Sequence, residues 1–485
     1  MKHCFLVCLR PALIFSLSLA FLLSNLRAPV DPYDEGIVLT GSWLVSLGWL
    51  PYRDFWTIYS PGQYFIVGSL FRLFGPELMV ERLWDLLVRA GICLAAFEIV
   101  RHRAGTIWAG GLWLALLLWL ERFGRFGYSI FPALLLIFLF ILALQRSRSS
   151  QAAVLAAGAA AWFRHDFLLY LIVSLGVFLG SDYRRFVRMA VAICLFAAIP
   201  YLLLAPFAGS TAMFEQLIRF PLIDFPAVMA RQFPFPQALQ DLRLSELPLY
   251  LPLLVPLVYI YALGREVLKD RFLRLLLAMS LVLLNQARVR SDFPHLFPAF
   301  TFSLVLLFLA AHSSFGRRSL RAVAVMAFTV LALIPLFSVA LKSKLLQSGG
   351  EYASRKLLVS RAAEREFELV ISRLQTCANG LYVALPRNDT PVRSDMAIYF
   401  ASGRKPAARF FEPHPGWFDR RDVQESIIKE LEDNRLECVV ASDPYGEYAR
   451  LDDRPREVSA LDFYLSGKFE HELQGRYYSL LRRRD

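Results

Sequence analysis

The chain is a succession of apolar blocks, separated by short clusters of Lys and Arg. Most blocks are about 15 to 20 residues long, enough to cross a hydrocarbon core of about 30 Å as helix. Inside a bilayer each segment must satisfy its own backbone hydrogen bonds, so such a chain is restricted to a bundle of spanning helices. The candidate spans run Leu6 to Asn25, Leu78 to Val100, Thr106 to Leu120, Tyr128 to Leu144, Ala152 to Phe163, Phe167 to Leu179, Met189 to Phe207, Leu247 to Leu263, Phe272 to Asn285, Leu296 to Ala311 and Ala322 to Leu341, about eleven in all. With 56% hydrophobic and 19% charged residues, the chain is far more apolar than an ordinary soluble domain. The expected fold is mostly α, a polytopic membrane protein with about 11 transmembrane helices and a small C-terminal α/β soluble domain.

The net charge of +12 would suggest nucleic acid in a soluble protein, but here the basic residues lie in loops between spans, where they set topology. With the N-terminus in the cytoplasm, the clusters Arg101 to Arg103, Arg146 to Arg148, Arg184 to Arg188, Arg265 to Arg274 and Arg317 to Arg321 all fall inside. Fusing Ala152 to Phe163 with Phe167 to Leu179 would put three of these clusters outside, so the two-span reading wins. The first block also has the look of a secretory signal, but "LRAPVDP" lacks a small-x-small cleavage site and the block reads as a retained span. Six cysteines without CxxC spacing argue against structural zinc.

Everything after Leu341 then lies outside, which in a bacterium is the periplasmic side of the inner membrane. Residues 342–485 alternate helical and strand-like patterns. "ASRKLLVSRAAEREFELVISRLQ" and "DRRDVQESIIKELEDN" read as helices, "LYVAL" and "ECVVAS" as strands. Cys377 and Cys438 either pair there or stay as buried thiols; the sequence leaves both open. Two outer loops are long. The first, 26–77, carries two amphipathic pieces suited to helices in the interface, and the second, 208–246, is rich in Phe and Pro and reads as a partly immersed lid.

Polar clusters converge on the outer face: Asp34 and Glu35 in "DPYDEG", Arg53 and Asp54 in "PYRDF", Arg164, His165 and Asp166 in "FRHDF", and Arg288, Arg290, Asp292 and His295 in "ARVRSDFPHLFP". Charges at a membrane edge are expensive unless they face a cavity or one another, so the convergence reads as a site. Each has a plainer reading. The arginines could snorkel from span ends, Arg164 and Asp166 could be a structural pair, Asp54 could simply pair with Arg53, and Asp34 and Glu35 could cap a helix. Asp31, before Pro32, reads as a turn residue. A carboxylate opposite several cations suits displacement at a carbon bearing a phosphate: the carboxylate takes a proton from the attacking hydroxyl and Arg or His neutralises the leaving group.

The run "YDEGIVLTGSWLVSLGWLPYRDFWTIYSPGQYFIVGSLFRLFG", with an Arg-bearing second span and the later "RHD" and "RSDFPHL", resembles the GT-C superfamily of polytopic glycosyltransferases. The likeness is to the bacterial branch related to protein O-mannosyltransferases and lipid A aminoarabinose transferases, and it covers residues 1–341. It implies a polyprenyl-phosphate-linked sugar as donor, inversion at the anomeric carbon, and a first-loop acid, here Asp34, as base with Glu35 beside it. Arg164, Arg288, Arg290 and His295 would hold the donor phosphate, with Arg53, Asp54, His165, Asp166 and Asp292 in support. Some relatives bind a divalent metal near the acid; Asp34, Glu35 and Asp292 could support one. The acceptor is a lipid, glycan or protein. Two alternatives stand beside this enzyme: a transporter or flippase of lipid-linked sugars, which the one-sided charges and lack of internal repeats disfavour, and an oligosaccharide ligase or polymerase using a polyprenyl diphosphate.

Overall fold

The computed structural model describes residues 2–484 apart from 123–125, 147–149, 230–246, 289–292, 317–318, 347–350, 353–356, 360–362, 390–392 and 447–457. Each of the eleven apolar segments is helical: α1 (Lys2–Leu22), α4 (Leu78–Arg122), which holds two of them, α5 (Ile130–Gln145), α6 (Ser150–Phe163), α7 (Phe167–Leu179), α8 (Tyr183–Ala208), α11 (Leu247–Leu263), α13 (Arg271–Leu283), α14 (Phe293–Ser314) and α15 (Leu320–Leu346). The two halves of α4 part at Gly105, whose φ of 82° lies in the left-handed region that glycine tolerates and side chains do not. By length and composition, Tyr183–Ala208 and His295–Ser314 are long and apolar enough to cross a bilayer. Along α8 the residues Val191, Leu195, Leu202 and Leu203 are all more than half exposed, an apolar face turned away from the bundle.

The contacts between loops fall into two groups, one at each end of the helices. At one end Arg103 pairs with Asp270 at 2.5 Å, and Arg101 and Arg146 share Glu98. At the other, Ser60 meets His165, Arg164 meets Gln286, and Gln216 meets Thr57. α6 and α7 are separate helices with Arg164 to Asp166 in the turn between them, so the two-run reading of this segment is the correct one for the fold.

The first outer loop folds into α2 (Asp34–Ser46) and α3 (Pro61–Phe74). α3 is amphipathic as expected, burying Tyr64, Val67 and Phe71 while Leu73 and Phe74 stand 74% and 69% exposed. α2 differs: every residue from Glu35 to Val45 is buried, so it has no face left for an interface. Three glycines explain the close packing. A Cβ on Gly41 would strike the Tyr64 ring at 2.4 Å, one on Gly68 the Ser42 carbonyl at 2.8 Å, and one on Gly36 the backbone nitrogen of Ala397 at 2.5 Å.

Ala397 belongs to the C-terminal part, whose four-stranded sheet has the order β3 (Tyr382–Ala384), β4 (Cys438–Ser442), β6 (Tyr478–Arg483), β5 (Phe469–Leu473). β3 and β4 are parallel; the other pairings are antiparallel. α16 (Glu364–Leu374), α17 (Ala397–Ser402), α18 (Arg421–Asp433) and α19 (Ala460–Lys468) accompany it. Of the helix expected from residue 353, Glu364–Leu374 is helical, residues 353–356 and 360–362 lie outside the described residues, and Glu351–Tyr352 pairs with Leu358–Val359 as a short β1/β2 ladder. Glu364 and Glu366 suit a helix N-terminus. Cys377 and Cys438 form a disulfide, with Cα atoms 6.0 Å apart. One apolar core runs from Ile37, Leu44 and Phe71 of the first loop into Val383, Ile398, Val440 and Leu480 of this domain.

Candidate active site around the first outer loop

The turn "VDPYDEG" is built by its own side chains. Asp31 Oδ1 accepts the amide of Asp34 at 2.8 Å and so caps α2, while Glu35 Oε2 accepts the amide of Asp31 at 3.0 Å. This reciprocal pairing satisfies the Asp34 amide, one of the donors the start of α2 leaves open, and the Asp31 amide in the turn before it. Glu35 goes further. Its carboxylate takes two hydrogen bonds from Arg82, at 2.7 and 3.1 Å, and both side chains have no exposure. Arg82 spends its remaining nitrogen on the carbonyls of Leu26 and Ala28, and its guanidinium lies 4.4 Å over the Phe126 ring. Glu35 is therefore the pin that holds the loop to α4. Among the described residues no three His, Cys, Asp or Glu side chains lie together to hold a metal ion, and Glu35, committed to Arg82, is a poor candidate ligand.

Asp34 is the half-buried member of the acidic pair. Its electrostatic neighbourhood is shared with Tyr59, whose hydroxyl is pushed well above its ordinary range by burial, then by Tyr128, Glu412, Asp34 and Tyr33. Tyr59 thus keeps its proton and remains a donor. Tyr128 also lies within electrostatic reach of Arg164.

Arg164 makes a two-pronged pair with Asp166, at 2.9 and 2.8 Å, and donates to Gln286 Oε1 at 2.8 Å. Burial works to raise the Asp166 carboxyl, but the Arg164 charge and bonds, with His165 and Gln286, hold it well below the usual carboxylate range. Arg164 Nη1 has no protein partner among the described residues, and the side chain is 20% exposed. His165 is a joint between loops: Nδ1 meets Ser60 Oγ at 2.9 Å, and the Leu217 carbonyl accepts from the ring. Burial, outweighing Asp166, lowers its pKa, so the ring stays neutral near pH 7.

Arg53 and Asp54 pair with each other through two 2.8 Å bonds on an exposed flank, 48% and 26% open, the plainer of the two readings. His295 lies in the first turn of α14 and is half-buried. The side chain of Arg288, and Arg290 and Asp292 entirely, lie outside the described residues. Gln286, at the head of the same segment, is the residue that reaches Arg164, and only its place two residues before "RVR" could have drawn attention to it.

The C-terminal domain closes over the loop. Met396 donates its amide to the Pro32 carbonyl at 2.9 Å, Thr40 Oγ1 donates to the Met396 carbonyl at 2.7 Å, and Tyr33 Oη donates to the Pro413 carbonyl at 2.8 Å. Above these, Trp56, Phe220, Trp417 and the His414 ring pack with centroids 5.2 to 6.0 Å apart. Phe220 belongs to the second outer loop, held down by Gln216, which bonds Thr57 N and the Tyr52 carbonyl. This part of the expected lid is folded against protein.

Buried behind the same contact, Asp395 accepts from Tyr478 Oη at 2.7 Å and from Ala397 N at 2.9 Å. Burial outweighs those bonds and, with a push from the Asp31 charge, raises its carboxyl to about 7. The folded state holds this proton where the unfolded chain, with an ordinary value near about 4, has lost it. Its stabilising contribution is complete below about pH 4 and is lost as pH rises through 7. The melting temperature of Asp395→Asn is therefore expected to depend less on pH between about 5 and 8 than that of the wild type, read by thermal unfolding across that range.

No protein-family profile and no curated protein sequence matches the chain. Solved structures do. The crystal structure of ArnT from Cupriavidus metallidurans bound to undecaprenyl phosphate is similar at 12% identity over 97% of each chain, with a TM-score of 0.53. Its apo state matches 99% of this chain and 98% of that one at 13% identity and a TM-score of 0.54. The Archaeoglobus fulgidus oligosaccharyltransferase, in complex with Zn and sulfate, matches at 11% identity over 94% of this chain and 71% of that one, with a TM-score of 0.57. The chain has the fold seen in ArnT and in the archaeal oligosaccharyltransferase.

Proposed function

We propose that the protein is an integral membrane glycosyltransferase that moves a monosaccharide from a polyprenyl phosphate to a lipid, glycan or protein acceptor, with inversion, on the periplasmic face of a bacterial inner membrane. The observation that carries this reading is the division of labour in the acidic turn: Asp31 caps, Glu35 is pinned by Arg82, and the half-buried Asp34 lies within electrostatic reach of Tyr59. In the proposed step Asp34 takes the acceptor hydroxyl proton. The freed oxygen bonds the anomeric carbon from the face opposite the phosphate, and the C–O bond to phosphate breaks with its electron pair going to the leaving oxygen. Arg164, whose Nη1 has no protein partner among the described residues, meets the charge on the departing phosphate. Arg290 and His295, with Arg288, are proposed to share that role, and any metal requirement is left to assay.

The near-complete overlap with ArnT, a structure solved with undecaprenyl phosphate, supports a polyprenyl phosphate donor. The Cys377–Cys438 disulfide supports an oxidising compartment for the C-terminal domain. The likeness to the archaeal oligosaccharyltransferase favours a second reading, transfer of a preassembled glycan from a lipid diphosphate. The test offers the purified protein a panel of polyprenyl-phosphate sugars and follows the free lipid phosphate. Release from one donor is expected. Release of a lipid diphosphate from oligosaccharide donors instead would favour the second reading, and release from none would leave carriage without chemistry.

A further inference from the structure

The capping carboxylate of the acidic turn is shared between the membrane part and the C-terminal domain. Asp31 Oδ1 accepts both the amide of Asp34 at 2.8 Å and the hydroxyl of Tyr445 at 2.9 Å. The same Tyr445 oxygen accepts the amide of Tyr33 at 3.2 Å. Tyr445 follows β4 in the C-terminal domain, 414 residues from Asp31, and its ring is held by the Arg393 guanidinium 4.0 Å over the centroid. Burial, with the Asp31 charge beside it, keeps the Tyr445 hydroxyl protonated and donating. A two-bond relay, Tyr445 hydroxyl to Asp31 carboxylate to Asp34 amide, thus fixes where α2 begins and from which backbone position the Asp34 side chain leaves.

We propose that Tyr445 and Asp31 are positioning residues of the transfer site: the C-terminal domain, through one hydroxyl, sets the register of the first helical turn and with it the aim of the Asp34 carboxylate. This rests on the reading of Asp34 as the base. The arrangement makes the C-terminal domain a working part of the site, since the cap of α2 is complete only when Tyr445 is docked. A reacting group displaced by a fraction of an ångström to one ångström loses about 10- to 100-fold in rate. The other bonds across this contact, such as Thr40 Oγ1 to the Met396 carbonyl, hold the domain on without touching the cap.

The test compares Tyr445→Phe with Thr40→Val in the full-length protein. Both remove one hydroxyl bond from the same contact, and Tyr445→Phe keeps the ring under Arg393. Tyr445→Phe is expected to speed amide exchange at residues 33–37 and to lower kcat by about 10- to 100-fold with the donor KM unchanged. Thr40→Val is expected to lower the melting temperature comparably while kcat stays within about twofold of wild type. Unchanged exchange at residues 33–37 in Tyr445→Phe overturns the relay. A kcat within about twofold of wild type, or equal losses in both variants, overturns the positioning role. If the wild type turns over no donor, the glycosyltransferase reading falls, and the exchange measurement still decides the relay on its own.

Discussion

Asp34→Asn is expected to lower transfer by about 10²- to 10⁴-fold, the range a general base supplies, with the melting temperature nearly unchanged. The second half of that expectation comes from geometry. The cap of α2 is made by the Asp34 backbone amide and the Asp31 side chain, so an amide at position 34 leaves it standing. The side chain is half-buried and near-isosteric with Asn, and no packed cavity opens. Polyprenyl phosphate release under saturating donor is the measurement. Full turnover in a well-folded variant removes Asp34 from the base role, and loss of both turnover and stability would mean that the carboxylate is structural.

The largest stability effect is expected at Arg82. Arg82→Ala leaves the Glu35 carboxylate buried without its charge partner and strips the Leu26 and Ala28 carbonyls of their donor. Breaking a buried pair from one side costs about 3–5 kcal/mol. Other carboxyl groups are buried close by, since Glu81 and Asp85 on α4 are each no more than 2% exposed and within electrostatic reach of Glu35. Arg89 answers Asp85 at 2.5 Å and stacks over Phe131. The double variant Arg82→Met with Glu35→Gln is expected to regain part of the loss, because no charge is then stranded, so the two changes will be strongly non-additive. Thermal unfolding in detergent of the two single variants and the double measures this coupling. Equal, additive losses would show that the carbonyl bonds, not the ion pair, hold the loop.

Periodicity and charge made the membrane part legible. Each apolar run became a helix, and the split of Ala152 to Leu179 followed from the sign of the loops alone, because five basic clusters cannot all be on one side otherwise. The pairing of Arg53 with Asp54 and the turn role of Asp31 were likewise readable, since both are contacts within a few residues. What the sequence hid was distant in the chain. Glu35 looked like a partner for Asp34, but its partner is Arg82, 47 residues away. Local pattern says nothing of which carboxylate a buried arginine will find. α2 read as an interface helix because one side of it packs against residues some 360 positions later, around Met396 and Ala397. Gln286 and Tyr445 escaped for the same reason, as neither sits in a charged motif. The Cys377–Cys438 pair stayed open in sequence because only the parallel placement of β3 beside β4 brings the two positions together.

The bare backbone at Gly36 has a consequence for how such chains can be rearranged. With Ala397 N only 2.5 Å from where a methyl would sit, the first loop and the C-terminal domain are fitted to each other as closely as two halves of one core. A chimaera that keeps this bundle but borrows the tail of a relative would bring a new backbone against the same glycine. Transplanting the tail therefore requires carrying residues 31–45 with it, and engineers seeking a new acceptor by swapping tails should treat those two stretches as one inheritable unit.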